Sequence, residues 1–352
     1  LTPLLGPIGL AWGVVIGAFL HFLVQLYGVL DAGYRYKPLL SRKDPDLRDL
    51  ARLTGPRMLG VAVNQIDFVI LTVLATTLAA GSVTVFQVAY NIQFFVVGIV
   101  GVSYAIASFP AMAEAIEARD TRRFLDSFDH AVRHVLFLSV PLMLVFLILR
   151  AQIVRVVAGA GLFGWGDTIR VADTLAFFTL GFAPQCVALI LARAFYAIRD
   201  TATPLTMAVV STVLSFVSGL YFAREFGVTG MAMGFTIGAF ADVVLLWVSL
   251  RQRMGTLHES IILRSLYVTA TAGIGCAVTI QSLKPLIVRV IPLETFMGVL
   301  TQGLVAGGAG LVVYVAISHA LKSRELVDVL AGLKRRVLKK AQPEETIATE
   351  GA

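Results

Sequence analysis

Asn64 and Asp67 stand three residues apart in a run that is otherwise apolar. Gln87, Tyr90 and Asn91 stand three and four apart in the next such run. On a helix each set shares one face. Amides and a carboxylate placed this way can hydrogen-bond a polar solute or take up a cation. A charge at mid-membrane costs about 2.5–3.5 kcal/mol on insertion scales, so each needs a reason. Two readings stay open: the strip Asn64, Asp67, Gln87 and Asn91 lines a water-filled cavity, or it hydrogen-bonds between helices and holds a bundle together. Asp67 has only Arg57, at the edge of its run, as a basic neighbour on its own helix, which favours the cavity. Gln65 and Gln93 fall off the two faces. His21, Gln185, Arg193 and Asp242 are further polar residues within apolar runs. A lone His or Gln there is more often packing glue than a ligand site. Asp242 can pair with Arg193 or face the cavity. Asp67 and Asp242 are candidates for ion coupling because they are ionisable inside the membrane.

Other chemistry is not visible. No P-loop provides for nucleotide-driven work. No Ser-His-Asp or paired-carboxylate arrangement suggests hydrolysis, so no catalytic residue and no cofactor is expected. The five histidines are scattered, and no metal-ligand cluster is expected either. A potassium-channel type of filter loop is missing.

The elements that must position these residues follow from composition. The 352 residues are 57% hydrophobic and only 14% charged, against roughly 25% charge in soluble domains. This excludes a soluble enzyme, a disordered protein and a secreted disulfide scaffold. Apolar runs of about 20 residues recur along the chain, as transmembrane helices require. The chain reads as an all-α polytopic membrane protein of about nine spans: 8–30, 57–79, 85–110, 131–149, 172–197, 203–223, 228–250, 263–283 and 296–320. Pro141 predicts a kink in the fourth, with a neighbour re-satisfying the freed carbonyl. Gly98, Gly101, Gly227, Gly230, Gly234 and Gly238 predict close helix approach. Cys186 and Cys276 lie inside apolar runs and read as buried thiols.

Loop charge sets the orientation. Odd-numbered loops and the tail carry 23 Lys and Arg, even-numbered loops 6. That places the odd loops and the C-terminus in the cytoplasm. The net charge of +7 then reflects topology, and no nucleic-acid partner is expected. Leu326, Leu330, Leu333 and Val337 make an apolar stripe flanked by Lys334, Arg335, Lys339 and Lys340. Such a helix either lies on an anionic leaflet or is a solvated topology anchor. From Gln342 onward the chain reads as disordered. The extracytoplasmic start and the initial Leu1 suggest the C-terminal part of a longer protein.

One stretch is specific. Arg193-Ala194-Phe195-Tyr196-Ala197-Ile198-Arg199-Asp200-Thr201-Ala202-Thr203-Pro204 resembles the R-x-F-Y-A-x-x-D-T-x-T-P signature of the MurJ (MviN) family. These are lipid II flippases of the multidrug/oligosaccharidyl-lipid/polysaccharide exporter superfamily. Gly55-Pro56-Arg57-Met58-Leu59-Gly60, Ala80-Gly81-Ser82-Val83 and Ala107-Ser108-Phe109-Pro110 agree with it. The resemblance implies that the nine spans match helices six to fourteen of a two-lobe fold. Residues 1–30 would be the last helix of a first lobe, 31–56 a basic cytoplasmic loop and 57–250 a six-helix C-terminal lobe. Residues 251–321 would be two groove-forming helices for a lipid tail, and 322–352 a cytoplasmic amphipathic helix with a disordered tail. It further implies lipid II as substrate, alternating access in the bacterial inner membrane, and a role in cell-wall synthesis and cell shape. Anionic lipids and cell-wall synthesis proteins are expected partners. With one lobe, the chain is not expected to flip lipid unaided. Two alternatives are an exporter of another lipid-linked polysaccharide or small molecule, and a membrane scaffold for cell-wall enzymes. The family usually carries an arginine where Asn91 stands, so the residues here supply no cationic headgroup site. By their chemistry Asp200 or Thr201 can cap the next helix, with Pro204 in its first turn. Phe195, Tyr196, Asp200, Thr201, Thr203 and Pro204 thus form either a hinge or a direct substrate contact.

The charge asymmetry is checked by labelling. In intact cells, single cysteines near Arg122 and near Lys334 should be shielded from an impermeant thiol reagent, and one near Ser82 should react. Reaction near Arg122 but not near Ser82 would invert the orientation.

Overall fold

The computed structural model describes residues 6, 8–31, 33, 54–55, 58, 62, 65–66, 68–159, 163–289 and 295–340. Residues 1–51 and 52–352 form two compact units. The first contains α1 (Ile8–Asp31). Its 24 residues rise about 36 Å, enough to cross a bilayer. Trp12, Phe19, Phe22 and Tyr27 on it are exposed. His21 Nε2 lies 2.9 Å from Gln25 Nε2, one turn away.

The second unit is a helix bundle. Residues 68–76 are helical; of 57–67 only 58, 62, 65 and 66 are among the described residues, so Asn64 and Asp67 lie outside them. After a turn at Gly81 come α2 (Ser82–Glu117) and α3 (Thr121–Ile148). Next are the short α4 (Arg150–Ala158), then α5 (Trp165–Leu180) and α6 (Phe182–Ala197). The pair α7 (Ala202–Phe226) and α8 (Val228–Met254) follows, then α9 (Glu259–Val288), α10 (Phe296–Ala320) and α11 (Arg324–Lys340). Among the described residues seven helices are long and apolar enough to span a membrane, eight if α5 and α6 count as one.

Three differences from the sequence reading have physical causes. The helix expected at 131 starts at Thr121, because Asp120 Oδ1 accepts from the Arg123 N–H at 2.9 Å and caps it ahead of the apolar run. The expected span 172–197 is two helices, α5 and α6, bent by 42° at Gly181. A Cβ on Gly181 would sit 3.2 Å from the Phe178 oxygen, a tight fit that the glycine avoids. Within α2, residues Gly98–Val102 form a π-helical turn that periodicity does not reveal. Within it Gly101 touches α6: a Cβ there would come 3.1 Å from Cys186 Cα.

Pro141 lies within an unbroken α3. A proline leaves the carbonyl four residues earlier without its helical donor. That carbonyl, Phe137 O, instead accepts the Tyr314 hydroxyl of α10 at 2.7 Å. The expected rescue by a neighbour is therefore present, and it also ties α10 to α3. Small residues join α7 to α8. Gly219 of α7 meets Gly234 of α8 so closely that a Cβ on Gly234 would lie 2.3 Å from the Gly219 backbone. Ser215 meets Gly238 in the same row, the close small-residue packing expected in a membrane.

The last helix corrects the sequence reading in part. Leu326, in its first turn, is buried against α3, α9 and α10 rather than lying on a leaflet, while Leu330 is exposed. The side chains of Leu333 and Val337 lie outside the described residues.

The proline rescue yields a double-mutant test. Tyr314→Phe should destabilise the detergent-solubilised protein by about 0.6–1.7 kcal/mol, the range for hydrogen bonds between membrane helices. In a Pro141→Ala background the same change should have a much smaller effect, since Phe137 O regains its helical donor. Equal losses in both backgrounds would show that the carbonyl was not what Tyr314 served.

Candidate functional site

Gln87 and Asn91 lie one turn apart on α2, and both side chains are exposed. Tyr90, beside them, is half-buried and anchors an aromatic cluster. Its ring centroid is 4.7 Å from Phe68, 6.0 Å from Phe178 and 5.8 Å from Phe235. The aromatic packing fixes α2 against the residue 68–76 helix, α5 and α8, and so fixes the direction of the two amides. Asn64 and Asp67, expected to complete the strip, lie outside the described residues. Gln65, expected to point elsewhere, is exposed.

Gln185 and Gln93 occupy the opposite situation. Gln185 Nε2 donates to Gln93 Oε1 at 2.9 Å and to Gly181 O at 3.0 Å, and Gln93 Nε2 returns a bond to Gln185 Oε1 at 3.4 Å. Gln93 is fully buried. The two amides clamp α2 to α6 next to the Gly181 bend. Arg193 stacks its guanidinium over the Tyr196 ring at 5.9 Å. Asp242 accepts from the Ser211 hydroxyl across the α7–α8 contact at 3.3 Å.

The signature stretch builds the turn from α6 to α7. Asp200 Oδ1 accepts from the Ala202 and Thr203 N–H groups, each at 3.0 Å, and Oδ2 accepts from the Thr203 hydroxyl at 2.6 Å. Arg253, at the end of α8, bonds Asp200 Oδ2 at 2.6 Å and Thr203 Oγ1 at 2.9 Å. Its guanidinium lies 5.7 Å from the Phe195 ring centroid. Pro204 is buried in the first turn of α7. Burial raises the Asp200 carboxyl, but the Thr203 hydrogen bonds and the Arg253 guanidinium outweigh it and hold the group below the usual carboxylate range.

The turn also has a counterpart. Arg119-Asp120-Thr121 repeats Arg199-Asp200-Thr201. Both arginines adopt positive φ, 54° and 59°. Both aspartate N–H groups bond five residues back, to Ala115 O at 2.9 Å and Phe195 O at 3.0 Å. Both aspartates then cap the next helix. Arg-Asp-Thr is therefore a device for ending one helix and starting another. The second copy differs in its clamp by Thr203, Arg253 and Phe195.

Sequence reasoning missed a polar network at the same end of the bundle. Arg133 of α3 bonds Glu325 of α11 at 2.7 Å and Asp129 at 3.3 Å. Ser265 of α9 donates to Glu325 Oε1 at 2.9 Å, and Ser323 to Oε2 at 2.8 Å. His258 Nδ1 lies 3.1 Å from Asp129 Oδ2. Burial pushes Glu325 up, yet its own N–H, Ser323, Arg133 and Ser265 together hold it low. Arg133 and Glu325 are 192 residues apart, which is why no local pattern announces the pair.

The comparisons with known proteins agree with the signature. The family model described as lipid II flippase MurJ matches residues 3–296. The chain belongs to the MurJ family. A probable lipid II flippase MurJ of Vibrio cholerae is 28% identical over 240 residues, covering 68% of this chain and 46% of the relative. A probable lipid II flippase MurJ of Rhizobium tropici is 25% identical over 339 residues, covering 95% of this chain and 62% of the relative. A solved structure of lipid II flippase MurJ, in an inward closed conformation, matches with TM-score 0.70 at 20% identity, over 93% of this chain and 64% of that one. That likeness establishes the fold: an all-α polytopic membrane protein of the MurJ kind. The chain spans about half the length of the Vibrio relative and about three fifths of the Rhizobium one.

The Asp200 cap makes a pH-dependent prediction. A depressed carboxyl contributes stability that is fully present above its unfolded value, about 3.9, and lost as pH falls through its folded value. Asp200→Ala should lower stability at neutral pH by about 0.5–2 kcal/mol, as loss of a cap does. In thermal melts the gap to the wild type should narrow below about pH 4. A gap that stays constant down to about pH 3 would remove the charge from the account.

Proposed function

We propose that this chain provides the C-terminal lobe and the groove helices of a flippase that moves lipid II across the bacterial inner membrane by alternating access. No covalent chemistry is involved. The observation that carries the reading is the exposed pair Gln87 and Asn91, in the second and third turns of the long apolar span α2. An amide turned toward hydrocarbon leaves its polar atoms unpaired, at about 4–8 kcal/mol by transfer from water to cyclohexane. That face therefore meets water or another polar surface. In transporters built from two repeats, the wall between the halves is such a surface. The two amides can hydrogen-bond a pyrophosphate or a sugar. They supply no charge, so the cations that attract the headgroup come from elsewhere in the complete transporter.

The outer surface of α9 and α10 supports a lipid-tail groove. Leu263, Tyr267, Ile274 and Val278 on α9, with Leu304, Leu311 and Val312 on α10, are exposed. The charge of the basic end of the bundle, with Arg251, Arg253, Lys322 and Arg324, supports a cytoplasmic position for it. The basic stretch of α11 suits an anionic leaflet there.

Cysteines at 87 and 91 should react with a membrane-impermeant thiol reagent in at least one transport state, and a cysteine at the buried position 93 should not. In the full-length transporter, Asn91→Arg should tighten lipid II binding by about tenfold or more, since a charge-assisted hydrogen bond contributes about 1.5–3 kcal/mol. If positions 87 and 91 are as unreactive as 93 in every state, the face packs against protein and the cavity reading fails.

A further inference from the structure

His130 and His134 stand one turn apart on α3, and Asp328 of α11 faces both. Asp328 Oδ2 lies 3.7 Å from His130 Nε2 and 3.4 Å from His134 Nε2. The three candidate ligand atoms all lie within 4.8 Å of one another. Ligands on a tetrahedral zinc ion, with bonds of about 2.0–2.2 Å, are separated by roughly 3.3–3.5 Å. The carboxylate is already at that spacing from one imidazole and within a few tenths of an ångström from the other. The two rings stack at 4.0 Å, centroid to centroid, with 26° between their planes, so the exposed His130 ring must turn for both Nε2 lone pairs to meet one ion.

A second observation fixes the state of the inner histidine. His134 Nδ1 is 2.8 Å from the His130 carbonyl oxygen. A carbonyl only accepts, so Nδ1 carries the proton and Nε2 presents its lone pair. His134 is 3% exposed, and its Nε2 is buried without a hydrogen-bond partner. A buried imidazole whose Nδ1–H is held by a backbone carbonyl, and whose bare Nε2 faces a carboxylate and a second imidazole, has the orientation of a metal ligand.

We propose that His130, His134 and Asp328 bind one divalent transition-metal ion, and that the ion fastens α11 to α3. Two imidazoles and a carboxylate suit Zn²⁺, whereas Mg²⁺ and Ca²⁺ prefer all-oxygen sets. A water completes the tetrahedron, and no catalysis is assigned to it. His130 and Asp328 are exposed, which gives the ion a path in. Arg133 lies between the two histidines in sequence, but its guanidinium is paired with Asp129 and Glu325. It therefore places no unbalanced cation beside the metal. A neighbouring group, Asp126, Asp129 and His258, has the same ligand types. There the nitrogen that faces the carboxylates, His258 Nδ1, already bonds Asp129, and the same carboxylate serves Arg133.

The test uses the full chain in detergent, purified without a histidine tag and stripped with a chelator. Titration with ZnCl₂ should show one tight site per chain, and Co²⁺ should give the visible absorption of a tetrahedral ion. Asp328→Asn, at an exposed position that threatens no fold, should weaken binding by more than the about 10–100-fold that loss of an outer-shell partner causes. His134→Gln should do the same, and His258→Gln should leave binding unchanged. Zn²⁺ should also slow tryptic cleavage within α11 in the wild type but not in Asp328→Asn. Absence of a stoichiometric site, equal binding by Asp328→Asn, or loss of the site in His258→Gln would each overturn the proposal.

Discussion

A backbone carbonyl that loses its helical donor inside hydrocarbon has no water to turn to, and much of this bundle is arranged around that fact. Where Pro141 removes a donor, the Tyr314 hydroxyl of α10 reaches Phe137 O at 2.7 Å. Where the chain bends at Gly181, whose N–H turns to Phe178 O, the Thr236 hydroxyl of α8 reaches Phe177 O at 2.7 Å. Where α3 ends, Lys284 Nζ of α9 reaches Ile148 O at 2.9 Å. Each irregularity thereby recruits a neighbouring helix. The breaks in helical bonding are the places where α3, α5, α8, α9 and α10 are fastened to one another.

Close packing supplies the complementary constraint. Lipid tails are as apolar as leucine, so helices gain little by hiding leucines from them. They gain by approach. Gly234 lies nearer the Gly219 backbone than a side chain at Gly234 would permit, and Gly101 lies tight against Cys186. At Gly101 the close contact coincides with the π-turn Gly98–Val102, whose wider winding shifts the residues that follow relative to those before. One helix, α2, can therefore present Gln87 and Asn91 outward in its first half and bury Ala105, Met112 and Ala115 in its second.

Apolar length made most of the fold legible, because a span must be long and apolar whatever it touches. The α3 and α5 starts were not legible this way: Asp120 and Gly164 begin those helices in polar sequence, ahead of any hydrophobic run. The Arg-Asp-Thr repeat at 119–121 and 199–201 was visible in the sequence, and its meaning as a helix stop and cap needed the positive φ angles. Gln93 with Gln185 and Arg133 with Glu325 were not legible, since partners 92 and 192 residues apart leave no local spacing. His130 and His134 did carry a local signal, four residues apart on one helix face. What hid it was Asp328, supplied by a helix that the sequence offers as either a leaflet-bound helix or a solvated topology anchor.

The amides of α2 show why residue type alone does not separate an outward-facing polar group from a packing contact. Gln87, Asn91 and Gln93 are chemically near-equivalent and lie within two turns of one another. Gln93 has a partner amide on α6 and is fully buried, so both ends of its dipole are satisfied within the bundle. Gln87 and Asn91 face outward, held in that direction by the rings around Tyr90. A polar group oriented by rigid packing, yet left to meet whatever lies beyond the bundle, suits solute recognition, because its direction is set before the solute arrives. The missing charge at Asn91 fits the same logic. Under the proposed function, a neutral amide orients a phosphate or sugar without holding it too tightly to let go, and attraction over distance falls to cations elsewhere in the transporter.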